Sequence, residues 1–134
     1  MRYVFALFLL AHGLVHLLWV VPPPSETSGR PWPFTLDTSP VLSPFGTSPS
    51  TLVLIGRSLA TVATVGFVLS ALGAAGVPVL ASAWAVVTIC AAIVSIVVTG
   101  VFWNPQFPIG PLIDVALIVT ALGHLWPATL VVVR

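Results

Sequence analysis

Charge is what this chain most lacks. Its 134 residues include four Lys or Arg and three Asp or Glu, and none of the four is a lysine. Charged residues make up 5% of the sequence, against about 25% in an ordinary soluble domain. So little polar surface excludes a water-soluble globular domain and points to lipid as the main solvent. The net charge is +1 and no Lys/Arg cluster exists, so there is no electrostatic footprint for nucleic acid. Cysteine occurs once, at Cys90, which excludes an internal disulfide. Cys90 lies inside an apolar run, where a free thiol behaves as a small hydrophobe.

What the chain has in abundance is long apolar runs, with 58% hydrophobic residues. A membrane helix takes about 20 mostly apolar residues. Four windows qualify: 3–21, 51–75, 79–103 and 111–133. Lipid offers the backbone no hydrogen bonds, so such runs are read as helices. The second and third are joined by "GAAGVP", a tight turn that predicts a helical hairpin. The third and fourth are joined by "NPQFPIGP", whose three prolines rule out a continuous helix. Pro111 suits the first turn of the last span.

The first connection, 22–50, holds eight of the thirteen prolines and ten Ser or Thr. A connector of that length is often functional or disordered. Trp32, Phe34, Leu36, Val41, Leu42 and Phe45 argue for a cap folded over the bundle mouth. The first run has signal-peptide features, a positive start at Arg2 and an apolar core. However, no A-x-A site precedes the prolines and two histidines interrupt the core, so a retained span is expected. The expected fold is therefore all-α. It is one integral membrane domain over 1–134, a four-transmembrane-helix antiparallel bundle with a long proline-rich extracytoplasmic loop. Arg2 and Arg134 against the lone Arg30 in the loop favour cytoplasmic termini in a multi-pass cell-membrane protein. Trp19 and Trp103 fall near the outer boundary and Trp84 near the inner one, as an aromatic belt predicts.

Ionisable groups inside spans are costly, so each is a candidate functional residue. They are His12, His16, Arg57, Asp114 and His124. His12 and His16 in "AHGLVHLLW" share one helix face, continued by Phe5, Phe8 or Leu9, and Trp19. That stripe should turn inward. The spacing suits either hydrogen-bonded neutral imidazoles or two imidazoles binding one metal, although Gly13 stands where a zinc-hydrolase motif has Glu. Gly13 would also let a second helix come close. His124 and His12 are each nine residues from an inner span end, about 13 Å deep at the helical rise. Pro127, in "LGHLWP", predicts a kink beside His124. Arg57 at about 9 Å and Asp114 at about 4–5 Å from the outer side suggest an ion pair clamping two spans. Glu26 and Asp37 are its competitors. By the same depth count, Asp114 and the histidines stand about 10 Å or more apart. Thr61 and Thr64 continue the Arg57 face, and Thr88, Ser95 and Thr99 form a stripe of mild polarity.

"AHGLVHLLW", "SPFG" (43–46) and "FWNPQFPIGPLIDVALIV" together resemble a family of small, uncharacterised bacterial four-helix membrane proteins with an H-G-x-x-H first helix. The pattern is also loosely similar to DoxX-like proteins. The resemblance implies a bacterial inner-membrane bundle and marks His12, Gly13, His16, Phe102, Trp103 and Asp114. It brings no catalytic residue with it. The expected function is a membrane binding or accessory protein, holding a lipophilic small molecule or docking onto a membrane complex. The alternative is a haem- or metal-binding redox protein using His12 or His16 with His124. No catalytic set is evident, and the absence of C-x-x-C-H excludes covalent haem. Beyond the bilayer, expected partners are a lipophilic ligand or a membrane protein.

Overall fold

The computed structural model describes residues 1–22 and 32–123. The elements run α1 (Arg2–Val15), continued by a 3-10 turn (His16–Trp19), a short 3-10 turn (Ser43–Phe45), α2 (Pro49–Ala75), α3 (Pro78–Ala81), α4 (Trp84–Val101) and α5 (Ile109–Leu122). No strand occurs among the described residues. Three helical stretches, Arg2–Trp19, Pro49–Ala75 and Trp84–Val101, are long and apolar enough to cross a membrane. The expected fourth span is helical over Ile109–Leu122, and its remaining residues lie outside the described part. The expected third span is broken. Its first turn, α3, is set off from α4 by Ser82 and Ala83. Apolarity carries on through that break, so composition cannot reveal it.

The helix ends follow local chemistry. Pro49 occupies the first turn of α2, and the Ser48 hydroxyl accepts from the Thr51 N–H at 3.3 Å. At the other end Gly76 adopts φ +98°, which lets the Gly76 and Val77 N–H groups reach back to Gly73 and Leu72 carbonyls. The predicted turn is therefore there. Pro111 falls inside the first turn of α5, which starts two residues earlier than expected, at Ile109.

Helix α2 is central, packing on α1 and on α4, while α5 packs on α4. Small residues permit this. A Cβ on Gly13 would stand 2.6 Å from Phe67 Cβ, and one on Gly66 would stand 2.8 Å from Ala91 Cβ. The Arg2 guanidinium lies beside Gly76. A core of Leu9, Phe67, Ala71, Ala91, Ala92 and Leu117 follows. A second core gathers Trp19, Leu36, Leu52, Ala60, Val98 and Phe102.

The described part of the long connector does fold onto the helices. Leu36 is 6% exposed and seats its methyl groups where a Cβ on Gly56 would stand. Ser39 Oγ donates to the Val101 carbonyl at 2.5 Å, and Asn104 Nδ2 donates to the Pro33 carbonyl at 3.1 Å. Phe34 stacks on Phe107 at 4.6 Å and meets Trp19 edge-on at 5.5 Å. Leu36→Ala should cost about 2 kcal/mol or more in unfolding free energy. It should also raise the rate of proteolytic cleavage in this connector, with the site below unchanged.

Of the three tryptophans expected near the boundaries, Trp19 and Trp84 are buried and Trp103 is exposed. Trp19 is covered by Phe34 and Phe102, and Trp84 by Phe5. Depth along a helix does not fix which way a side chain faces.

Candidate functional site: a buried His–Asp–Ser–His network

The site begins with a change of pitch in α1. At His16 the helix tightens to 3-10, and the His16 N–H turns to the Gly13 carbonyl. His16 Nδ1 lies 3.2 Å from the His12 carbonyl one turn earlier. The neighbouring Gly13 carbonyl accepts Thr64 Oγ1 from α2 at 3.1 Å. The inward stripe expected on α1 is present: Leu9, His16 and Trp19 are buried, and His12 is 10% exposed. Phe8 is exposed.

Three helices then converge. His12 Nε2 lies 2.8 Å from Asp114 Oδ1. Ser95 Oγ on α4 lies 2.6 Å from Asp114 Oδ2. His16 Nε2 lies 2.8 Å from Ser95 Oγ. Asp114 is completely buried, and Ser95 and His16 nearly so. Phe67 of α2 closes the fourth side, edge-on to His12 at 4.8 Å and stacked near His16 at 5.8 Å. A carboxylate buried in apolar surroundings costs several kcal/mol unless its oxygens are hydrogen-bonded, and here both are.

The expected Arg57–Asp114 clamp is replaced by this arrangement. Arg57 is exposed, and the ion-pair partner of Asp114 among the described residues is His12. The helical periodicity explains the first part: Arg57 and Thr61 share an exposed face, whereas Thr64 turns inward to α1. The 10 Å separation expected between Asp114 and the histidines is also corrected to direct contact. His12 stands seven residues before the end of its helical stretch at Trp19, and Asp114 five after the start of α5 at Ile109. These helix limits differ from those of the apolar runs, 21 and 111, by two residues each. Arg57→Gln should leave the histidine resonances of the network unshifted in an NMR spectrum, an outcome opposite to that of a clamp.

Trp103 is 47% exposed, whereas its neighbour Phe102 is buried against Trp19. His124 and Pro127 lie outside the described residues. The residue that sequence reasoning missed is Ser95. It was placed on a stripe of mild polarity with Thr88, and both are indeed buried. Thr88 bonds the Ser70 hydroxyl and the Trp84 carbonyl, joining α4 to α2. Position tells the two apart only in the fold: Ser95 faces Asp114 and His16, whereas Thr88 faces Ser70.

The chain matches no family model, no curated protein and no solved structure. Its chemistry must be judged on geometry. Nε2 of both described histidines, both Asp114 oxygens and the Ser95 hydroxyl are engaged with one another. Among the described residues no set of three His, Cys, Asp or Glu is disposed to hold a metal. Nδ1 of His12 has no hydrogen-bond partner among the described residues.

Proposed function

We propose that this protein is an integral membrane binding or accessory protein, built as a four-span antiparallel bundle with cytoplasmic termini and an outer proline-rich cap. One observation carries the reading. The polar side chains inside the bundle are bonded to each other, so they serve to join α1, α4 and α5. What remains for a partner is the outer surface, which is apolar and carries Arg57 and Thr61 on the exposed flank of α2. A guanidinium on such a flank is costly towards acyl chains and favours a membrane-protein partner with an acceptor at that depth. The likeness to the H-G-x-x-H family of bacterial inner-membrane bundles is part of this proposal.

A second reading has one observation in its favour. A carboxylate holding one imidazole nitrogen is the arrangement that orients histidine metal ligands, and His12 is held in that way by Asp114. A haem or metal would then sit on Nδ1 of His12, with His124 as the further ligand. Purification in detergent separates the two. The accessory reading expects a colourless, metal-free, folded protein, and photocrosslinks from Val62 to a protein that disappear in Arg57→Glu. A Soret band or stoichiometric metal, lost in His12→Ala, would establish the second reading instead.

A further inference from the structure

The network contains one more donor or acceptor choice than a static clamp needs. The His12 carbonyl can only accept, so His16 Nδ1, 3.2 Å away, carries a proton. Asp114 Oδ1 accepts from His12 Nε2–H in either ionisation state. The protons between Asp114 Oδ2, Ser95 Oγ and His16 Nε2 remain to be placed. Two placements satisfy every contact. In one, Asp114 Oδ2–H donates to Ser95 Oγ, and Ser95 O–H donates to a bare His16 Nε2. In the other, His16 Nε2–H donates to Ser95 Oγ, and Ser95 O–H donates to an Asp114 carboxylate. The distances of 2.6 and 2.8 Å serve both.

From this count we propose that Asp114, Ser95 and His16 form a proton relay across α5, α4 and α1. In the forward step the Asp114 Oδ2–H bond breaks as its proton passes to Ser95 Oγ, and the Ser95 O–H bond breaks as its own proton passes to His16 Nε2. The reverse step restores both. No electron moves to another group, and the net charge is zero on each side: two neutral side chains become a carboxylate and an imidazolium. The buried setting keeps the exchange internal, because Phe67 covers the histidines and α2 brings Thr64 but no titratable group to the network among the described residues. His12 holds Asp114 Oδ1 through Nε2 and so fixes the carboxyl group while Oδ2 exchanges its proton. The relay belongs to the same site as the proposed function but does not depend on a partner docking at Arg57.

Two Asp114 and Ser95 variants discriminate the relay from a fixed clamp. Asp114→Asn mimics one placement: its amide donates to Ser95 Oγ and its oxygen accepts from His12, but it cannot release a proton. Ser95→Thr keeps the hydroxyl. The full-length protein, labelled with 15N-histidine and held in lipid nanodiscs, reports on Nε2 of His16, assigned by its loss in His16→Gln. The relay expects a shift between the protonated and bare extremes that moves with temperature. It also expects Ser95→Thr to keep that behaviour, and Asp114→Asn to lock the signal at the bare extreme. A wild-type signal already fixed at either extreme, independent of temperature, would overturn the relay. The wild-type temperature series decides this alone, even if a variant misfolds.

Discussion

Asp114→Ala should lower the unfolding free energy by about 3–5 kcal/mol, the scale seen when one partner of a buried pair is removed. The substitution strips His12 Nε2 of its acceptor and takes away one of the two partners of the Ser95 hydroxyl. All of these atoms are buried or nearly so, and lipid or protein interior offers no water to replace the carboxylate. A single interhelical hydrogen bond in a membrane averages only about 0.6 kcal/mol, so the large value comes from the orphaned groups rather than from the bonds themselves. Asp114→Asn provides the contrast. Its amide supplies one donor and one acceptor in the same places, leaving one spare N–H, and should cost about 1 kcal/mol. Equilibrium unfolding in mixed detergent micelles measures both. Equal losses for Ala and Asn would mean that the network does not hold the helices together.

The second large effect is expected at Gly13. Gly13→Val should destabilise by about 3 kcal/mol, the upper end for overpacking. The new Cβ would fall 2.6 Å from Phe67 Cβ, an atom fixed to the α2 backbone, so a helix has to move rather than a side chain. Displacing α1 from α2 would also lengthen the Thr64 Oγ1–Gly13 carbonyl bond of 3.1 Å. It would pull His12 and His16, which flank Gly13, away from Asp114 and Ser95. The same unfolding assay tests this, together with the His16 resonance, which should broaden or shift. Gly100→Ala is the control. It has nothing within 4 Å of the added methyl, and Ala is the better helix former by about 1 kcal/mol. Gly100→Ala should therefore be neutral or stabilising.

The inward stripe on α1 was legible because a periodicity of four residues is a property of the chain itself. So was the turn at Gly76, since φ +98° is open to glycine at no steric cost. The role of Gly13 as a point of close approach was legible for the same kind of reason: a missing side chain next to polar ones has few other uses in a membrane helix. Arg57 was misread because its depth was known and its direction was not. Ser95 was missed because a hydroxyl in an apolar helix can always bond its own backbone, as Thr99 does to the Ser95 carbonyl at 2.8 Å. Nothing local distinguishes the serine that bridges helices from the threonine that does not.

By itself the sequence determined that the chain is helical, with stretches long and apolar enough to cross a membrane. A chain with so little charge and such long apolar runs must satisfy its backbone internally, and helices do that without reference to any neighbour. It also determined that His12, His16 and Asp114 needed partners. The tertiary structure decided who those partners are. Helix rotation, the 3-10 tightening at His16 and the true ends of α1 and α5 bring His12 onto Asp114 and put Ser95 between Asp114 and His16. A hydrogen bond is satisfied within about 3 Å, and placement at that scale depends on how α1, α2, α4 and α5 pack, which no single run of residues encodes.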